Sequence, residues 1–265
     1  MTSSDLHELA LSDDDRKVVG LIEADPPSRA RHCLRSAIEH LRRARRLQGI
    51  DPAMAVFRGI TAEEEAASGL MHALISRKYP NAELLRPRDH LQKHAVIPFL
   101  RALLDHLREI KLDGLCSVRL AITSVDGFDR LVVLLLLDGE ELTAMPVPPL
   151  NLSVREGDGG EFPNITRNVR ALLGPTGYSN VLCFLRNEAN LRNRILYAGP
   201  DGYPQVHDLQ PEYLMERQRR VFAILKAALL ILPYEQIQPL AAEALESFLR
   251  LIEKLKDLPE STNDG

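Results

Sequence analysis

The residues best suited to chemistry in this 265-residue chain lie in one stretch, Arg86-Pro87-Arg88-Asp89-His90-Leu91-Gln92-Lys93-His94. Arg88-Asp89-x4-His94 sets a permanent cation, a polar residue and a titratable imidazole within about two helical turns. Cleavage of RNA without a metal needs such a set. A base draws the proton from a ribose 2′-hydroxyl, and a cation steadies the phosphorane. On this reading His94 is the base, Arg88 steadies the phosphate and Asp89 orients one of them. The bland alternative is a solvated helix start, and a similar pairing, Arg35-x4-His40, occurs elsewhere in the chain.

His90 and His94 stand one helical turn apart and could share a zinc or iron ion, with Glu64 or Glu65 completing the set. The local sequence is HLQKH rather than HExxH, and no Glu-x-x-His pair recurs on two helices. Neither a zinc protease nor a di-iron bundle is indicated, and the expectation is no metal and no cofactor. Glu64 falls on an apolar helical line, where a carboxylate needs a partner or a proton. It is expected as a structural core acid paired with an arginine of a neighbouring helix, and His106 as a core histidine.

Helices must hold these residues. Apolar positions recurring at three and four predict helices over Asp13–Glu23, Arg29–Leu47, Asp51 to about Lys78, and Arg86 to about Ile110. Ser28 and Asp51-Pro52 are helix starts by their capping side chains and the first-turn proline. Pro98 should bend the fourth helix near its middle. From Cys116 the period changes to two. CSVRLAITS, RLVVLLLL and LTAMPV predict a three-strand antiparallel meander with two Asp-Gly turns and a central strand covered on both faces. Helical patterns return at 164–173, 179–197, 211–232 and 235–258.

Charge is distributed unevenly along the chain. Residues 1–25 carry seven acids, and residues 29–46 carry seven arginines against the single Glu39. Arg35, Arg42 and Arg46, with Arg186, Arg192 and Arg194 further on, could bind RNA phosphates, since a guanidinium fork matches phosphate oxygens. Equally, the acidic start could fold over Arg29–Arg46 and neutralise it. Few aromatics flank these arginines, so base stacking on single strands is poorly supported. The net charge of −4 means that any nucleic-acid surface is local. Three dispersed cysteines fit a reducing compartment, and the acidic start lacks the apolar core of a signal peptide. No apolar run reaches membrane-spanning length, so a cytoplasmic protein is expected. Without a P-loop, GxGxxG, GxSxG or CxxC, nucleotide hydrolysis, hydride transfer and serine hydrolysis drop out.

Thr61-Ala62-Glu63-Glu64-Glu65-Ala66-Ala67, preceded by an arginine-rich helix, resembles the start of the AbiV abortive-infection proteins of the HEPN superfamily. Arg194-Ile195-Leu196-Tyr197, then Gly202-Tyr203-Pro204 and a long helix, resembles that family's end. Arg88-Asp89-x4-His94 looks like the superfamily's arginine, polar residue and histidine. This chain departs from the pattern in having Ser68 where a lysine tends to follow the glutamates, and Arg192 where a late histidine would stand. The resemblance implies an up-and-down helical bundle, often a homodimer, in phage defence, toxin–antitoxin systems or RNA processing.

The expected fold is mainly α, an antiparallel helical bundle with a small inserted β-meander. Residues 1–27 form an acidic segment, 28–111 the first part of the bundle, 112–163 the meander and a loop, 164–258 the second part, and 259–265 a disordered tail. The expected function is an RNA-binding or RNA-cleaving protein of defence or toxin type. The alternative is a non-catalytic interaction protein whose arginine faces dock an acidic protein partner.

Overall fold

Capping side chains mark where the helices begin. Ser28 accepts a hydrogen bond from the Arg31 amide and opens α2, Arg29–Leu47; Asp51 accepts from Met54 and opens α3, Pro52–Ser76. The computed structural model describes residues 9–24, 26–109, 115–137, 142–152, 181, 183–185, 187, 188, 191, 192, 195–197, 206 and 209–257. Before α2 lies α1, Asp13–Ala24, and after α3 lies α4, His90–Glu109. A small antiparallel sheet follows: β1 Leu115–Val125, β2 Phe128–Leu137 and β3 Leu142–Ala144, in the order β1-β2-β3. Helices α5, Pro211–Leu229, and α6, Pro239–Asp257, complete the chain's mainly helical architecture.

The fourth helix opens at His90, later than the Arg86 start expected from the sequence. The reason is local. The Asp89 carboxylate accepts hydrogen bonds from the amides of Leu91 (2.9 Å) and Gln92 (3.3 Å), so Asp89 caps the helix instead of lying within it. The preceding loop is pinned from both sides. Gln92 accepts from the Arg86 amide at 2.8 Å, and the Ser68 hydroxyl of α3 donates to the Pro87 carbonyl at 3.1 Å.

Helix α3 is the central element, packed against α2, α4 and α5. Its approach to α2 depends on Gly69, where a Cβ would stand 2.9 Å from Leu34 Cγ and 3.2 Å from the Ala30 carbonyl. Ile22, Leu34, Ile38, Met71, Ile224 and Leu225 fill the resulting core. Each such side chain contributes roughly 1.5–3 kcal/mol on burial. Phe99 of α4 meets Phe248 of α6 edge to face at 5.3 Å, which fastens the last helix.

Asp126 (φ 53°) and Gly127 (φ 80°) form the two-residue turn between β1 and β2, as the Asp-Gly pair predicts. Val125 then faces Phe128, and β2 buries Leu131, Val132, Val133 and Leu136. The second expected Asp-Gly turn, the helix at 164–173 and the tail at 259–265 lie outside the described residues.

Part of the contrast in charge near the N-terminus is met within the chain. Arg31 donates to the Leu21 carbonyl at 2.8 Å, and Arg35 donates to the Glu23 carbonyl and meets its carboxylate at 3.3 Å. These guanidiniums satisfy carbonyls left open at the end of α1, where the helix dipole is negative. Arg42 and Arg43 both pair with Glu39.

Candidate functional site

Two consecutive glutamates on α3 collect most of the buried charge. Glu64 points at α4, where His90, Lys93 and His94 share one face at spacings of three and four. Its Oε1 lies 2.8 Å from His90 Nδ1 and 3.1 Å from His94 Nε2, and its Oε2 accepts from Lys93 Nζ at 3.1 Å. Arg192 Nε stands 4.0 Å from Oε1, with its guanidinium over the Phe57 ring at 5.9 Å. Burial opposes ionisation of Glu64, but His94, Lys93 and His90 outweigh it and hold the carboxyl at about 2. The carboxylate is therefore charged and only accepts hydrogen bonds.

That charge fixes the ring of His90. Facing an acceptor, Nδ1 must carry the proton, so in the neutral imidazole Nε2 bears the lone pair. The side chain of His90 is 47% exposed, whereas that of His94 is 3% exposed. His94 Nε2 is buried and meets Glu64 at 3.1 Å, outside good hydrogen-bond geometry. The two rings lie 6.5 Å apart, inclined by 28°.

Glu63 enters a different network. Arg217 of α5 pairs with it through Nη1, and Arg217 Nη2 donates to Glu188 at 2.9 Å and to the Tyr213 hydroxyl at 2.7 Å. Arg220 approaches Glu63 to 3.7 Å. Burial pushes the Glu63 carboxyl up to about 6, against the pull of Arg217 and Arg220. The carboxylates in turn raise the Arg217 guanidinium above its ordinary range despite its burial. Arg217 thus ties α5 and the helical residue Glu188 to α3.

The site residues expected from the sequence separate. Glu64 is buried and paired, with a lysine and two histidines as its nearest partners and an arginine only at 4.0 Å. His94 reaches the cluster but is enclosed; Arg88 is exposed just before α4; and Asp89 is the cap. Of the proposed RNA-binding arginines, Arg35 and Arg42 are held by Glu23 and Glu39, and Arg46 also has an interaction within the chain. Arg192 joins the Glu64 cluster, while Arg186 and Arg194 lie outside the described residues.

Sequence reasoning missed Lys93, Glu63 and Arg217. The signal for Lys93 was present, since His90, Lys93 and His94 put three polar groups on one face of a helix that must pack. No family model, curated protein or solved structure matches the chain. No helix among the described residues is long and apolar enough to cross a membrane.

Proposed function

We propose that the Glu64 cluster acts on RNA phosphodiesters, in a helical-bundle protein of the phage-defence or toxin type. One observation carries the proposal: His90 donates from Nδ1 to a buried carboxylate at 2.8 Å while half of its side chain remains open to solvent. A ring held this way presents Nε2 to accept a proton from a ribose 2′-hydroxyl. Lys93 and Arg192 place positive charge around the same carboxylate, and a phosphate is the anion that such charge would meet. The base in this scheme is His90 rather than the enclosed His94. Arg88, exposed at the entry to α4, remains a second candidate contact for the phosphate. The homodimer implied by the resemblance to AbiV proteins belongs to the same proposal.

The test is incubation of the purified chain with RNA in a chelating buffer, beside His90→Ala. Cleavage by the wild type and its loss in the variant support the proposal. Intact RNA in both lanes overturns it.

A non-catalytic interaction protein is the second reading. The ion pairs and carbonyl contacts that engage Arg31, Arg35, Arg42 and Arg43 leave α2 poorly suited to phosphate and equally to an acidic partner, so the form of this reading that they favour is a scaffold. Light scattering on the purified chain, alone and with a candidate acidic protein, measures both self-association and docking.

A further inference from the structure

We infer that Glu64, His90 and His94 form a binding site for one divalent transition-metal ion, for which Zn2+ is the probe. A carboxylate oxygen and one nitrogen from each ring all lie within 4.8 Å of one another. Tetrahedral ligands on bonds of about 2.0–2.1 Å stand about 3.3–3.4 Å apart. Glu64 Oε1 lies 2.8 Å from His90 Nδ1 and 3.1 Å from His94 Nε2, so both rings must withdraw by a few tenths of an ångström to admit the ion.

The decisive atom is His94 Nε2. It is buried and lies 3.1 Å from a charged carboxylate oxygen, in a contact that falls outside good hydrogen-bond geometry. Buried polar nitrogens are rarely left so, and a cation between the three donors supplies the missing partner. Two imidazoles and a carboxylate are the donor set of ions that accept both nitrogen and oxygen, and the half-exposed His90 leaves further positions open to solvent.

Lys93 does not compete for the same oxygen. It holds Oε2, leaving Oε1 to the ion, and such a hydrogen bond commonly fixes a ligating carboxylate. Lys93 and Arg192 do add positive charge, so the ion's remaining ligand is an anion of the phosphate or hydroxide class.

The metal site stands on the geometry alone; its effect on cleavage rests on the function proposed above. An ion on Nδ1 moves the ring proton of His90 to Nε2 and removes the lone pair needed by the base. Bound Zn2+ and metal-free cleavage therefore exclude one another.

The experiment is calorimetric titration of chelator-treated protein with Zn2+, using wild type, His90→Ala and His94→Ala, alongside visible absorption with Co2+. The wild type should bind one ion per chain, and either variant should bind more weakly by about tenfold or more and lose the Co2+ bands. Unchanged binding in His90→Ala overturns the site. That residue is half exposed, and circular dichroism checks that the variant is folded. No RNA enters these measurements, so a failed metal site and a failed nuclease are read separately.

Discussion

Glu63 and Glu64 are neighbours on α3, yet Glu63 pairs with Arg217 of α5 whereas Glu64 meets Lys93 of α4 at 3.1 Å. Consecutive helical residues point about 100° apart, so one dipeptide serves two interfaces. Their environments differ in kind. Three nitrogen-bearing residues of α4 converge on Glu64 and stabilise its charge; around Glu63, burial outweighs the guanidiniums.

This difference predicts a pH dependence. Glu63 binds its proton more tightly folded, with a value of about 6, than at its ordinary 4.5. Its contribution is therefore fully present below pH 4.5 and is lost as the pH rises through 6. Measured against Glu63→Gln in chelator-treated protein, the wild type should lose about 2 kcal/mol of relative stability over that window. Urea unfolding at a series of pH values measures it. A difference that stays flat, or grows with pH, would refute the assignment.

Arg217 should be more sensitive than any surface arginine. It joins two carboxylates and a tyrosine hydroxyl, with its side chain only 3% exposed. Removing one member of a buried charge network strands the others, at a cost of about 3–5 kcal/mol. Arg217→Met should fall in this range by urea unfolding. Arg217→Lys should recover only part, because one ammonium cannot copy the fork that spans Glu63, Glu188 and Tyr213. Full rescue by lysine would mean that charge alone matters there.

Gly69→Ala tests the closeness of α2 and α3. The added methyl group meets Leu34 and the Ala30 carbonyl, and backbone cannot swing away as a side chain can. Overpacking of this kind costs about 1–3 kcal/mol, although alanine is the better helix former. A variant more stable than the wild type would show that the helices separate without penalty.

Much of this framework was legible in the sequence. Ser28 and Asp51 announced their caps, Asp126-Gly127 announced its turn, and the apolar rhythm of 29–47 matched α2 at both ends. Such signals are local, carried by side chains within a few residues of the backbone that they govern. Glu64 also stood out, since an acid on an apolar line needs a partner. Its partners were harder to name, because α4 had to be placed beside α3 before His90, Lys93 and His94 became neighbours of Glu64. Arg217 was more obscure still: it lies 154 residues from Glu63, amid several charged residues of α5 that look alike in sequence. Asp89 shows the converse, a residue whose cap is local and whose reading as chemistry came from the arginine before it.

His90→Ala should separate catalysis from folding. Half of the ring is exposed but its Nδ1 donates to a buried carboxylate, so its removal should cost no more than about 1.5–3 kcal/mol. Loss of a general base should slow RNA cleavage by about 10²–10⁴-fold. Cleavage rates on a defined oligonucleotide, taken with unfolding curves, provide both numbers. An unstable variant with proportionate loss of activity would assign His90 a structural role instead.

Asp89 divides the two schemes at the entry to α4. As a cap it accepts from the amides of Leu91 and Gln92, a role that serine or asparagine can fill. Asp89→Ala should then cost about 1 kcal/mol, and Asp89→Ser should restore most of it. Were Asp89 instead to orient the base through its charge, Asp89→Ser would keep its stability and lose cleavage. Thermal unfolding and RNA cleavage measured on the same two variants decide between these roles. Because the carboxylate already serves two backbone amides of the helix that carries His90, we expect cleavage to follow stability, with Asp89→Ser close to the wild type in both.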